Sequence, residues 1–271
     1  MTAAVEAALR RQRVLTLFAL VLLTLLAWAW LLLGAGMGMA PHAALHLFPT
    51  TPSGGVAAMP GMDMAMAPTG WTAAQLLLAV SMWWVMMVAM MLPAAAPVIL
   101  LYARAASAQA AVRPATGWFL AGYLAEWGLF SFLAAAFQDL LQRSGVLAPP
   151  TMDASAKWLA ATILIAAGLY QLSPLKDSCL AHCRNPGLFL SRNYRPGRIG
   201  ALRMGAIHGA FCLGCCWLLM ALLFVGGVMN LAWIALLSLL VAGEKLLPGG
   251  RRLGQVAGLA FIGWGALVAF A

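Results

Sequence analysis

The sequence predicts an all-α fold: a polytopic transmembrane helical bundle of about seven spans, N-terminus inside and C-terminus outside. Three observations predict it. Only 8% of the residues are charged and 64% are hydrophobic, whereas a soluble domain carries about 25% charged residues. Apolar runs of about 20 residues recur, the length that crosses a hydrocarbon core of about 30 Å. The cations collect between those runs, where they set orientation. The net charge of +9 therefore reads as a topology signal, with the lipid bilayer as partner and no nucleic acid.

The chain divides in order. Residues 14–33 form the first span, held inside by Arg10, Arg11 and Arg13. The run is longer than the apolar part of a cleavable signal, about 7–15 residues. Segment 34–70 is rich in Gly, Pro, Met and His and has no Lys or Arg, which suits the extracytoplasmic side. The second span starts at Trp71 and runs to Arg104. At roughly 50 Å it exceeds the bilayer core, and Pro93 and Pro97 are expected to kink it. Span three is 115–138, and 139–156 an outside loop.

Span four covers 157–172 and ends at Ser173-Pro174. Residues 173–203 form the most basic cytoplasmic loop, with Lys176, Arg184, Arg192, Arg195, Arg198 and Arg203. Spans five, six and seven are 204–225, 231–247 and 253–271. This arrangement puts every Lys and Arg inside except Arg143 and Lys157. The whole chain, 1–271, is then one membrane domain in a bacterial inner membrane.

Span five holds the densest chemistry. His208, Cys212, Cys215 and Cys216 fall within an arc of roughly 100° on a helix, so one face presents an imidazole and three thiols. Thiolates in hydrocarbon need a cation, and soft sulfur ligands favour Cu(I). Small buried cysteines also suit plain helix contacts. In span two, Met82, Met86 and Met90 make a stripe at i, i+4, i+8, flanked by Met87 and Met91. Such stripes are core filler or a ladder of thioether ligands.

The outer segment repeats the theme with Met37, Met39, His42 and His46, then Met59, Met62, Met64 and Met66, as metal capture or as linker. In the basic loop, Cys179 and Cys183 bracket His182, a donor hook that the span-five thiols complete if the loop folds back. Glu126 is the acid within span three. It either balances a bound cation, relays a proton, or stays neutral and hydrogen-bonded. Glu244 beside Lys245 reads as an interfacial ion pair, and Tyr170 with Gln171 as interfacial or supporting donors.

Three blocks together resemble a known bacterial family, described as predicted metal-binding integral membrane proteins and long catalogued as a domain of unknown function. They are Trp84 through Pro93 with Pro97; Tyr170-Gln171 through Lys176 into Cys179 and Cys183-Arg184; and Gly205 through Trp217 with Met220. The resemblance spans most of residues 71–220. It implies an inner-membrane helical bundle with a metal role, sometimes labelled copper handling.

The expectation is a soft-metal binding and trafficking protein, most simply for Cu(I), with other soft ions open. Its partners would be the metal ion and a metal chaperone or membrane complex, and no enzymatic step is needed. Alternatives of other classes are a membrane thiol oxidoreductase using Cys212-x-x-Cys215 with a quinone, a haem protein ligated by His208 and a methionine, and a structural subunit of a larger complex.

Overall fold

The computed structural model describes residues 3–33, 71–108, 115–145, 147–148, 153–154 and 157–270. The Met/His-rich segment 34–70 lies outside the described residues, and with it the expectation of metal capture there.

Three long helices come first: α1 (Ala3–Leu32), α2 (Ala73–Ala108) and α3 (Thr116–Arg143). A small antiparallel ribbon follows, β1 (Leu147–Ala148) on β2 (Asp153–Ala154). Then come α4 (Lys157–Gln171), α5 (Pro174–Arg184), α6 (Pro186–Asn193), α7 (Gly197–Ala221), α8 (Leu223–Gly226), α9 (Leu231–Leu246) and α10 (Gly250–Phe270). The architecture is all-α apart from the ribbon.

Among the described residues, five helical segments are long and apolar enough to cross a membrane: Arg10–Leu32, Ala73–Ala106, Thr116–Arg143, Gly197–Gly226 and Gly250–Phe270. Two of the seven expected spans are shorter. The fourth is α4, which passes the same test only together with α5, across a bend of 63°. The sixth is α9, whose 16 residues reach about 24 Å, less than a hydrocarbon core of about 30 Å. The outer surface is apolar where these helices face away from the core: Leu15, Phe18, Leu129, Leu133, Leu239 and Leu259 are all exposed.

Local chemistry explains the breaks. Ser173 is extended and its Oγ accepts from the backbone N–H of Lys176 at 3.2 Å, with Pro174 at the first helical position. A serine cap followed by proline starts a new helix where the old one stops, and this places the break. Asn230 caps α9 in the same way, its Oδ1 accepting from the N–H of Trp233 at 3.2 Å. The segment expected as a basic loop is thus folded into α5, α6 and the start of α7. Residues Asp139 to Arg143, expected in an outside loop, complete α3, where Arg143 pairs with Asp139. Helix α2 continues through Pro93 and Pro97.

Two glycine seams bring backbones together. On α3 and α7, a Cβ on Gly205 would stand 1.9 Å from the carbonyl oxygen of Phe119, and one on Gly122 would stand 2.0 Å from that of Leu202. On α4 and α10, a Cβ on Gly168 would meet the carbonyl of Gly258 at 2.5 Å. Small residues at one-turn spacing permit such approach. Helix α3 is fastened to α2 by indole donors: Trp83 Nε1 donates to Gln138 Oε1 at 2.7 Å and Trp84 Nε1 to the carbonyl of Leu124 at 2.9 Å. Trp83 is fully buried, where an indole N–H without an acceptor is costly.

Candidate metal site: a buried thiol cluster

The face predicted on span five is real in geometry. Helix α7 buries His208, Cys212, Cys215 and Cys216 together. The bend at Ser173 folds α5 back along α7, so the thiol of Cys183 lies beside those of Cys212 and Cys215. Cys179, one turn earlier, packs on α7 at Gly214, where an added Cβ would stand 3.1 Å from its Sγ. All five cysteines are free thiols. Helix periodicity accounts for the α7 set, and the capped break before α5 accounts for the fourth thiol.

Hydrogen bonds fix the sulfur positions. Cys215 Sγ and Cys216 Sγ donate to the carbonyl of Cys212 at 3.0 and 2.9 Å. Cys212 Sγ turns the other way. It accepts from Lys245 Nζ at 2.8 Å and lies 3.2 Å from the hydroxyl of Tyr123, which also reaches the carbonyl of Met91 at 3.2 Å. Met91 Sδ is 3.9 Å from Cys216 Sγ. Sulfur from α2, α5 and α7 therefore converges, with Tyr123 from α3 and Lys245 from α9 closing the set.

The methionines of α2 all face the interior: Met82, Met86, Met87, Met90 and Met91 are at most 1% exposed. Met91 brings its thioether to 3.9 Å from Cys216 Sγ. The Met82, Met86, Met90 stripe occupies the adjoining face of the helix.

His208 is enclosed by aromatic rings. Phe189 of α6 lies 5.2 Å away by ring centroid, Tyr123 5.8 Å and Phe119 6.3 Å. Its Nδ1 is buried without a hydrogen-bond partner. Glu126 sits outside this group. It is half-buried on the α3–α7 seam, its Cβ 2.8 Å from where a Cβ on Gly209 would be, and no hydrogen bond or ion pair is described for it.

The interfacial reading of Glu244 and Lys245 is corrected. Both are buried, and they do not pair with each other. Glu244 accepts from Lys176 Nζ at 2.6 Å and from Gln171 Nε2 at 2.6 Å, while Gln171 Oε1 also accepts from Lys176. Lys245 points to the thiols, and its charge acts on Cys212, Cys215, Cys216 and Cys183. Lys176, read above as a loop cation, and Lys245, read as interfacial, are core residues. Successive positions on a helix diverge by about 100°, so neighbours in sequence serve two different clusters. Tyr170, at the end of α4, donates its hydroxyl to the carbonyl of Gly214 and braces α7.

Lys245 is the member that sequence reasoning missed, and Met91 was read as a flank of the methionine stripe. A signal existed for the lysine. Lys245 lies inside an apolar run beside Glu244, and an ammonium there that does not pair with its neighbour must find another anion.

As they stand, the described side chains include no group of three or more His, Cys, Asp or Glu converging on a single metal position. A pair of thiolates with a nearby thioether is nevertheless the donor chemistry that suits Cu(I). The fold and site define a class: an apolar helical bundle with a buried sulfur cluster around one lysine. The chain belongs to the PpoB2 family, described as copper chaperone, which matches residues 80–268. The match takes in every residue of the cluster, and the family is one of copper handling. No curated protein and no solved structure matches the chain.

Proposed function

We propose that the protein is a membrane-embedded Cu(I) carrier that holds the ion on a pair of thiolates drawn from Cys183, Cys212 and Cys215, with Met91, Cys216 and His208 alongside. The observation that carries the reading is the convergence of those thiols, Cys212 and Cys215 buried and Cys183 half-buried, with a cation that has no carboxylate. Cu(I) bound by two thiolates is a monoanionic unit. Lys245 supplies the matching positive charge, while Lys176 is already matched by Glu244. A buried charge needs such a partner.

The membrane placement rests on the apolar helices and their exposed faces, in a bacterial inner membrane with the N-terminus inside. In that orientation α5 and α6 face the cytosol. The Met/His segment 34–70 gathers the ion outside, the Met82, Met86, Met90 face of α2 receives it, and the thiols hold it more tightly. The gradient from thioether to thiolate favours inward movement or retention.

Metal analysis of the purified protein in detergent tests the reading. The wild-type chain is expected to retain copper, and the combined variant Cys212→Ser, Cys215→Ser and Cys216→Ser to lose it. Equal copper in both would end the thiol site. A second variant probes the charge argument. Lys245→Met removes a charge-assisted hydrogen bond worth about 1.5–3 kcal/mol, so Cu(I) affinity measured by chelator competition is expected to fall roughly 10- to 100-fold.

A further inference from the structure

A cleft of about 410 Å³ opens between α5, α6 and α7, with His182, Asn185, Phe189, Arg192, Asn193 and Phe211 among its lining. One wall meets the thiol cluster directly, through Phe189 on His208, and two others carry its sequence neighbours. His182 precedes Cys183 on α5, Phe211 precedes Cys212 on α7, and Phe189 packs its ring on His208. The rings of His182 and Phe211 stack face to face, with centroids 4.0 Å apart and planes within 3°. The imidazole is therefore held rigid. Its Nδ1 lies 2.8 Å from the carbonyl of Ser178. A carbonyl only accepts, so Nδ1 carries the proton and the lone pair is on Nε2. That is the tautomer in which a histidine ligates a soft metal, with its other nitrogen bonded to a carbonyl. Arg192 is exposed at the same cleft, and no hydrogen bond or ion pair is described for it.

We propose that His182 Nε2 is the port ligand of the copper site: it takes Cu(I) from a small anionic thiol complex drawn into the cleft by Arg192 and passes it to Cys183. The inference rests on the Cu(I) reading above. The step is a ligand exchange without redox change. On entry a Cu–N bond to His182 forms as one Cu–S bond to the carrier breaks and that thiolate leaves; on transfer the Cu–N bond and the second carrier Cu–S bond break as Cu–S bonds form to Cys183 and to Cys212, the thiolate that faces Lys245, and the second carrier thiolate leaves with the Cys183 proton.

The test uses the full chain in detergent, loaded anaerobically with Cu(I) in excess glutathione and followed by stopped flow. His182→Phe keeps a ring on Phe211 but removes Nε2. Its loading rate is expected to fall about tenfold or more while the final copper content matches wild type. Arg192→Glu is expected to slow loading from the glutathione complex but not from the cationic acetonitrile complex of Cu(I). An unchanged rate in His182→Phe would overturn the port. So would an equal loss of final copper, which would make His182 part of the resident site. If wild-type protein takes up no copper by metal analysis, the carrier reading itself has failed, a result distinct from either.

Discussion

Replacing Glu244 by leucine is expected to lower the stability of the protein in detergent by about 3–5 kcal/mol, read as a large drop in the unfolding midpoint. The side chains of Glu244 and Lys176 are each 2% exposed. Glu244 holds α9 to α5 through Lys176 and to α4 through Gln171. Removing the carboxylate leaves the Lys176 ammonium in an apolar core with only the amide oxygen of Gln171. The cost comes mostly from that orphaned charge rather than from the lost attraction. The double variant Lys176→Met with Glu244→Leu separates the two. Both charges go and the volumes are roughly kept, so much of the stability is expected to return. A double variant as unstable as the single one would show that the carboxylate acts through its geometry at the bend instead. The same variants bear on copper. Glu244 reserves Lys176 and leaves Lys245 to the thiols, so the double variant is expected to keep its metal.

How much of this was legible in the sequence follows from the physics of each residue. Apolar runs and helical spacing are local, so the long helices and the His208, Cys212, Cys215, Cys216 face could be read directly. The partnership of Cys183 with that face depends on the direction of a bend. Ser173-Pro174 marks where a helix stops and restarts, but the 63° turn comes from packing. The methionine stripe was chosen by repetition. The sulfur that reaches Cys216 belongs to Met91, because the rotation of α2 is set by the indole bonds of Trp83 and Trp84 to α3. Glu244 and Lys245 misled for a similar reason. Adjacent charges near a helix end suggest a mutual pair at an interface, yet here one serves α4 and α5 and the other serves α7. Length separates two elements from the rest: α4 and α9 have the composition of spans but only 15 and 16 residues, and α4 reaches spanning length together with α5.

The α3–α7 seam joins fold to site, and Gly205→Ala is the sharpest way to break it. The added Cβ would stand 1.9 Å from the carbonyl oxygen of Phe119 and 3.0 Å from the amide nitrogen of Tyr123. The atoms it meets are backbone, so no rotamer change relieves them. The helices must move apart by roughly 1 Å, and overpacking of this kind costs about 1–3 kcal/mol, occasionally more. Gly122 faces Leu202 at 2.0 Å on the same seam, so both closest contacts lose registry together and the upper end is expected. Tyr123 sits on the displaced helix. Its hydroxyl, 3.2 Å from Cys212 Sγ and from the carbonyl of Met91, would withdraw from both. The variant is therefore expected to show a depressed unfolding midpoint and weaker copper retention at once. Gly263→Ala is the matched control on α10, where an added Cβ meets nothing within 4 Å. There the gain in helix propensity is about 1 kcal/mol, and no change in copper is expected. Wild-type stability and copper content in Gly205→Ala would mean that α3 and α7 do not approach as closely as the seam requires, and Tyr123 would lose its place beside the thiols.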